Sequence, residues 1–305
     1  MRPRMRMMVA GVLLLSSACA DGADDGSSGP GNEVENAVEV ALSPQSPDPG
    51  SGRTMRWSPY GKQLPLVEAE GGKEAHLQIG PAGTDPIRLL LGKSPGADHF
   101  DQLQIDVNRD GEFDPSEHHS TEVSETRNKF WSSFEAVVGI PVTDPLTGAA
   151  AINPYPLSLW YVEDPVEPTE EPVIRFSRDG WMEGSVVLDG VEGVVMVTEN
   201  VMDGVFRADD SWALASQDSA PNLLEASHSR SLDEHAWLFE KAYRVTEIDP
   251  SGRQAFIVPF DPGMTRAEEV EMNDHLAVDR RADRSRCPRA PRSAGCRADC
   301  PGPPP

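Results

Sequence analysis

Between residues 20 and 286 the chain has no cysteine. That excludes disulfide staples, thiolate zinc sites and Cys-x-x-Cys redox chemistry from the body. Of the four cysteines, Cys19 stands near the N-terminus, and Cys287, Cys296 and Cys300 crowd the other end. The spacing of those three fits neither a zinc knuckle nor a zinc ribbon. Basic residues are in deficit, with 27 Lys and Arg against 50 Asp and Glu and a net charge of −23. A surface of that sign is repelled by phosphate, so no nucleic-acid partner is expected, while cations are attracted. Aromatic residues make up only 6% of the 305 residues and hydrophobic residues 38%, which is low for a globular chain yet enough to build a core. No Gly-x-Ser-x-Gly elbow, phosphate-binding loop, dinucleotide fingerprint or His-Glu-x-x-His is present. No catalytic residue is therefore assigned.

What is present begins with a targeting pattern. Arg2, Arg4 and Arg6 precede a short apolar run from Met7 to Leu15, and Ser16-Ser17-Ala18 leads into Cys19. The run is too short to span a bilayer permanently, and small residues before the break are what a signal peptidase requires. A cysteine in that place resembles the lipobox of bacterial lipoproteins, in which the thiol is diacylated and becomes the new N-terminus. Ser16 departs from that pattern, which usually has Leu three residues before the cysteine. Residues 1–18 are thus expected to be a signal peptide and Cys19 a lipid anchor. The chain would then be held in the cell envelope, facing the periplasm or the exterior. The Gly, Ser, Asp and Pro of residues 19–54 suggest a flexible tether.

A mainly β fold is expected from there: a short-stranded sandwich or barrel-like body over 55–262, with minor helix. Ala75–Ile79, Ile87–Leu91, Leu103–Val107, Leu157–Val162 and Val173–Phe176 have strand-like apolar patterns. Ser185–Leu188 and Val194–Val197 flank Asp189-Gly190, whose residues accept the positive φ of a tight hairpin turn. Tyr243–Ile248 and Gln254–Val258 form a second hairpin through Asp249-Pro250-Ser251-Gly252. Ser231 with Glu234, and Thr265 with Glu268, have the spacing of a helix capping box. The first would open a short helix through Ala236–Phe239. The second would open a surface helix over 263–284 with a thin apolar face of Ala267, Val270, Leu276 and Ala277. Residues 285–305 have nothing larger than Ala among their aliphatic side chains and are expected to form a disordered tail. Trp131, Trp160, Trp181, Trp212 and Trp237 are read as core.

The most specific motif is Asp106-Val107-Asn108-Arg109-Asp110-Gly111-Glu112-Phe113-Asp114-Pro115-Ser116-Glu117. Calcium takes six to eight oxygens, and a twelve-residue loop of the EF-hand type supplies them from positions 1, 3, 5, 7, 9 and 12. Those are Asp106, Asn108, Asp110, the carbonyl of Glu112, Asp114 and Glu117. Gly111 falls where the chain must turn sharply, and Phe113 is read as the anchor to the core. The flanks look extended rather than helical, so the loop resembles the β-flanked calcium loops of extracellular bacterial proteins. A structural role is expected, with a dissociation constant on the order of 10⁻⁴ M. Glu199 to Asp210 is a degenerate second copy: it keeps Asp203-Gly204, Phe206 and an acidic twelfth residue, but Val201 cannot ligate and Arg207 brings a cation. It is read as a loop that has lost its ion. His118 and His119 are adjacent and would face opposite sides of an extended chain.

Asp106 to Phe113, Asp203-Gly204-Val205-Phe206 with Ser211-Trp212, Lys241 to Val245, and Phe260 to Thr265 with Asp279-Arg280 carry a further resemblance. The stretch from Leu103 to Arg281 is similar to the β-rich N-terminal region of exported proteins with a thioredoxin-like domain. That resemblance implies a redox Cys-x-x-Cys beyond the helix that contains Asp279, where this chain has Arg-, Pro- and Cys-rich sequence. The leading expectation is a non-catalytic, Ca2+-stabilised binding or scaffold lipoprotein with an envelope protein or polymer as partner. The alternatives are a truncated module of a thiol-disulfide protein and a hydrolase of envelope polymers.

Overall fold

The computed structural model describes residues 37–48, 54–56, 61–167, 171–217, 223–225 and 230–273. Cys19, the signal peptide, the tail, His228 and His275 lie outside those residues. The described chain is mainly β and predominantly antiparallel. Its strands begin with β1 (Val38–Ala41), β2 (Ser43–Gln45), β3 (Thr54–Arg56), β4 (Lys62–Pro65) and β5 (Val67–Ala69). Next come β6 (Gly72–Leu77), β7 (Ile87–Gly92), β8 (Gln102–Ile105), β9 (His118–Ser120) and β10 (Ser124–Thr126). The middle holds β11 (Lys129–Thr143), β12 (Ala150–Glu163), β13 (Val173–Arg178), β14 (Trp181–Leu188) and β15 (Val191–Thr198). The last are β16 (Ser211–Ser216), β17 (Leu223–Glu225), β18 (Arg230–Ser231), β19 (Ala236–Leu238), β20 (Lys241–Ile248) and β21 (Gln254–Phe260).

Two cores organise these strands. In the first, the meander β5-β6-β7-β8-β9 faces the sheet β10-β11-β12-β13-β4. Leu77, Ile87, Leu89, Leu91, Leu103 and Ile105 from one sheet meet Phe134, Val138, Ile140, Leu157 and Phe176 from the other. In the second, β1-β21-β20-β19 faces β18-β16-β15-β14-β2. There Val40, Tyr243, Ala255 and Ile257 meet Met182, Val186, Val195 and Trp212. A smaller cluster of Trp181, Val194, Met196 and Ala213 lies apart from that core. β3 and β17 form a separate parallel pair.

Alternation explains most of this. In β11 the even-numbered residues from Ser132 to Val142 are buried, while Ser133, Glu135, Val137, Pro141 and Thr143 are exposed. β12 carries two prolines that ought to break a sheet. They fit because β13 pairs with β12 only over Leu157–Tyr161. The carbonyl of Pro156 points to that same side, accepting from the amide of Asp179 at 3.0 Å. The missing N–H groups of Pro154 and Pro156 therefore face an edge that β13 does not reach.

Several expectations need correction. Residues 38–42, expected as tether, belong to the folded body: Val38, Val40 and Leu42 alternate into the second core and β1 pairs with β21. The strand expected over Leu157–Val162 is more than twice that length, and β11 forms where no strand is expected. Ser231 to Glu234 caps a turn rather than a helix: Glu234 does reach the amide of Ser231 at 3.3 Å. Ala236 and Leu238 then alternate inward as β19, because pairing with β20 buries them and a helix would not. The Thr265 capping box is real, with Glu268 accepting the Thr265 amide at 2.7 Å and the helix described over 266–273. Its docked residue is Glu269, while Ala267 and Val270 are exposed.

Candidate calcium site and its degenerate copy

Residues 106–117 connect β8 to β9, neighbouring strands with Gln104 opposite His118. The loop is therefore β-flanked, closed only by a short 3-10 turn at Pro115–Glu117. Its own carboxylates organise it. Asp106 accepts the amides of Asp110 at 3.1 Å and Gly111 at 3.0 Å. Asn108 accepts the Asp110 amide at 2.9 Å, and Asp110 accepts that of Glu112 at 2.9 Å. Glu117 reaches back to accept the amides of Val107 and Asp114, each at 2.9 Å. Arg109 and Gly111 adopt left-handed backbone, φ 60 and 83.

Burial separates these residues into two kinds. Asp106 and Glu117 are each only 3% exposed, whereas Asn108, Asp110, Glu112 and Asp114 are exposed. Neither Asp106 nor Glu117 forms a salt bridge with a described residue. The loop's one basic side chain, Arg109, is directed elsewhere: it donates to the carbonyls of Asp85 and Gly139 at 2.9 Å and of Ile79 at 3.4 Å. These two buried carboxylates are held chiefly by amide hydrogen bonds, and Arg109 acts on Asp106 through its charge without pairing with it. Among the described residues, no three His, Cys, Asp or Glu side chains stand close enough to hold a metal. Asp110 is instead turned to the Asn108 amide group, which donates to it at 2.9 Å. The donor set, all oxygen with two buried carboxylates and outer exposed ones, suits a hard cation such as Ca2+.

Phe113 is not the core anchor expected of it. It is half-buried, covered by the Arg88 guanidinium at 4.9 Å from its ring. In the second loop Phe206 does enter a core. That loop lies where the two sandwiches meet, and Tyr155, Arg178 and Glu199 are buried beside it. Tyr155 donates to Glu199 at 2.6 Å, and Arg178 stands 3.5 Å from the other Glu199 oxygen. The longer separation makes the Arg178 contact an ion pair without a hydrogen bond. Burial, with the charge of Glu199 added, pushes the Tyr155 hydroxyl well above its ordinary range. Burial likewise raises Asp210 to about 6, with the charges of Glu199 and Asp209 in support.

Other candidates resolve simply. His118 is exposed and His119 half-buried on β9, pointing apart. Trp181 and Trp212 are core, but Trp131, Trp160 and Trp237 are only half-buried. Trp131 and Trp160 instead line a groove of about 660 Å³ on the outer face of β11 and β12, with Lys129, Glu135, Ser158 and Arg175. Ser158 of that lining donates to Asp179, and burial together with the charge of Glu135 raises the Asp179 carboxyl above the usual value. Trp237 and His235 donate to Glu269 at 2.6 and 2.8 Å, with Arg230 at 3.0 Å. Pattern reading missed the groups around Glu199 and Glu269 because their members are far apart in the chain and carry no local motif. Compared with known families, with curated proteins and with solved structures, the chain matches none.

Proposed function

We propose that this is a calcium-stabilised envelope lipoprotein, anchored through Cys19 and acting as a non-catalytic binding or scaffold module. The supporting observation is the pair Asp106 and Glu117, two buried carboxylates that no basic side chain among the described residues meets in a salt bridge, the loop's Arg109 donating to backbone carbonyls instead. A divalent ion would supply the missing positive charge. Asp106, Asn108, Asp110, the Glu112 carbonyl, Asp114 and Glu117 would hold it, and its chemistry would be structural. It would tie β8 to β9 without taking part in a reaction. Isothermal titration of the full chain with Ca2+ tests this, with one equivalent expected and none in D106A/E117A.

The anchor and the partner rest on different observations. The charge, apolar run and small residues before Cys19 support acylation, which intact mass and detergent partitioning of wild type against Cys19→Ala would read. The Trp131–Trp160 groove suits a binding module, because half-exposed indoles bring large contact area at low entropic cost. A second reading, turnover of a polymer at that groove, is favoured by Asp179, which accepts from Ser158 of the groove wall and has a carboxyl that burial and the charge of Glu135 raise above the usual value, as an acid catalyst beside a second carboxylate requires. Turnover on glycan or ester substrates that E135Q and D179N abolish would support it, and silence across the panel would end it.

A further inference from the structure

Residues 199–210 repeat most of the hydrogen-bond plan of residues 106–117, apart from the bonds to the fifth amide from positions one and three. The first carboxylate accepts the sixth amide: Asp106 from Gly111 at 3.0 Å, Glu199 from Gly204 at 3.2 Å. The fifth accepts the seventh: Asp110 from Glu112 at 2.9 Å, Asp203 from Val205 at 3.1 Å. The twelfth accepts the second and the ninth. Glu117 takes Val107 and Asp114 at 2.9 Å, and Asp210 takes Asn200 at 2.7 Å and Arg207 at 2.8 Å. Even the left-handed residues coincide, Arg109 and Met202 at φ 60 and 54, Gly111 and Gly204 at φ 83 and 81.

Such a loop gathers carboxylates and carbonyl oxygens, and a positive charge must offset them. In 199–210 that charge belongs to the chain. Arg207, at the ninth position, donates through Nη1 to Asp203 at 2.9 Å and to the Val205 carbonyl at 3.0 Å. Its Nη2 stands 2.9 Å from the other Asp203 oxygen. The fifth carboxylate and the seventh carbonyl are two of the groups that calcium takes from a loop of this plan. Arg178 adds a second charge from beneath, over the rings of Tyr155 and Phe206 at 4.7 and 5.1 Å.

We infer that residues 199–210 form a calcium-loop fold filled from within, with the Arg207 guanidinium in the place of the ion. The loop's position gives this a consequence. Met202 enters the first core and Phe206 the second. The Asp203 carbonyl accepts the Gly80 amide at 2.7 Å, and the Phe206 amide donates to the Pro250 carbonyl at 3.0 Å. The joint between the sandwiches is thereby closed without metal, and of the two loops residues 106–117 alone would respond to calcium.

The calcium reading of the first loop enters here as a comparison, and the test separates the two. In the full chain with the first loop silenced by D106A/E117A, V201N/R207D copies positions three and nine of residues 106–117 into the second loop. Isothermal titration should show no calcium bound in the silenced chain and one equivalent regained in the converted one. A converted chain that keeps its near-ultraviolet circular dichroism and binds none overturns the inference. Calcium bound by the converted loop, with none bound by the wild-type chain, would sink the first-loop reading and leave this one standing. Should the converted chain fail to fold, R207A in the D106A/E117A background decides, since Arg207 is exposed and outside either core and the first loop can then contribute no calcium response. Its melting temperature should fall by a few degrees in chelator and recover in 10 mM Ca2+. A melting temperature equal in chelator and calcium overturns the inference.

Discussion

Tyr155 and Glu199, 44 residues apart, share a 2.6 Å hydrogen bond that ties the long β11–β12 hairpin to the loop at the sandwich junction. Both side chains are buried, and the only other hydrogen-bond donor to that Glu199 oxygen among the described residues is the Gly204 amide at 3.2 Å. Tyr155→Phe should therefore destabilise the protein by about 1–3 kcal/mol, the cost of leaving a buried acceptor short of a donor. Urea denaturation checks this. A loss well under half a kcal/mol would mean that water or Arg178 replaces the hydroxyl.

Asp210 gives the junction a pH dependence. Its folded pKa of about 6 lies above the ordinary value of 3.8. The folded state therefore binds a proton that the unfolded state releases between those values. The resulting stability is fully present below pH 3.8 and is lost as pH rises through 6. A rise from 3.8 to about 6 corresponds to roughly 3 kcal/mol at most. The difference in unfolding free energy between wild type and Asp210→Asn should thus be more favourable to wild type at pH 4 than at pH 7. A difference that does not vary with pH would remove the effect.

Glu269 has the opposite sign. Burial opposes its ionisation, but hydrogen bonds from Trp237 and His235 and the charge of Arg230 outweigh this and hold its carboxyl below 4.5. Stability from this group is present above the unfolded value of 4.5 and is lost as pH falls through the folded one. Glu269→Ala should cost about 1–3 kcal/mol at neutral pH. It should also speed amide exchange across 266–273 relative to wild type. Unchanged exchange there would show that the helix is held by other contacts.

Where sequence and structure agree, a local chemical rule was decisive. Asp189 and Gly190 sit at φ 51 and 81 between paired Leu188 and Val191, as a two-residue hairpin requires. Thr265 and Glu268 cap a helix because both partners lie within one turn. The turn at 106–117 was legible for the same reason, since the carboxylate-to-amide hydrogen bonds that shape it are contained in twelve residues. Where the two part, tertiary context intervened. Pro154 and Pro156 argue against a strand until the edge they face is known. Ser231 and Glu234 form half a capping box, yet pairing with β20 overrides it. Val38, Val40 and Leu42 were masked by the Pro and Gly around them, and their partner strand β21 lies some two hundred residues away. Trp131 and Trp160 alternate onto the outer face of their sheet, which composition alone cannot reveal.

The first loop remains the centre of the account, and calorimetry of the full chain tests it most directly. With a dissociation constant on the order of 10⁻⁴ M, 10 mM Ca2+ should add about 2.7 kcal/mol to the folded state. For a body of this size the melting temperature should rise by roughly 5–10 °C over that in chelator. D106A/E117A should abolish the rise. Identical melting in chelator and in calcium for the wild-type chain would contradict the account.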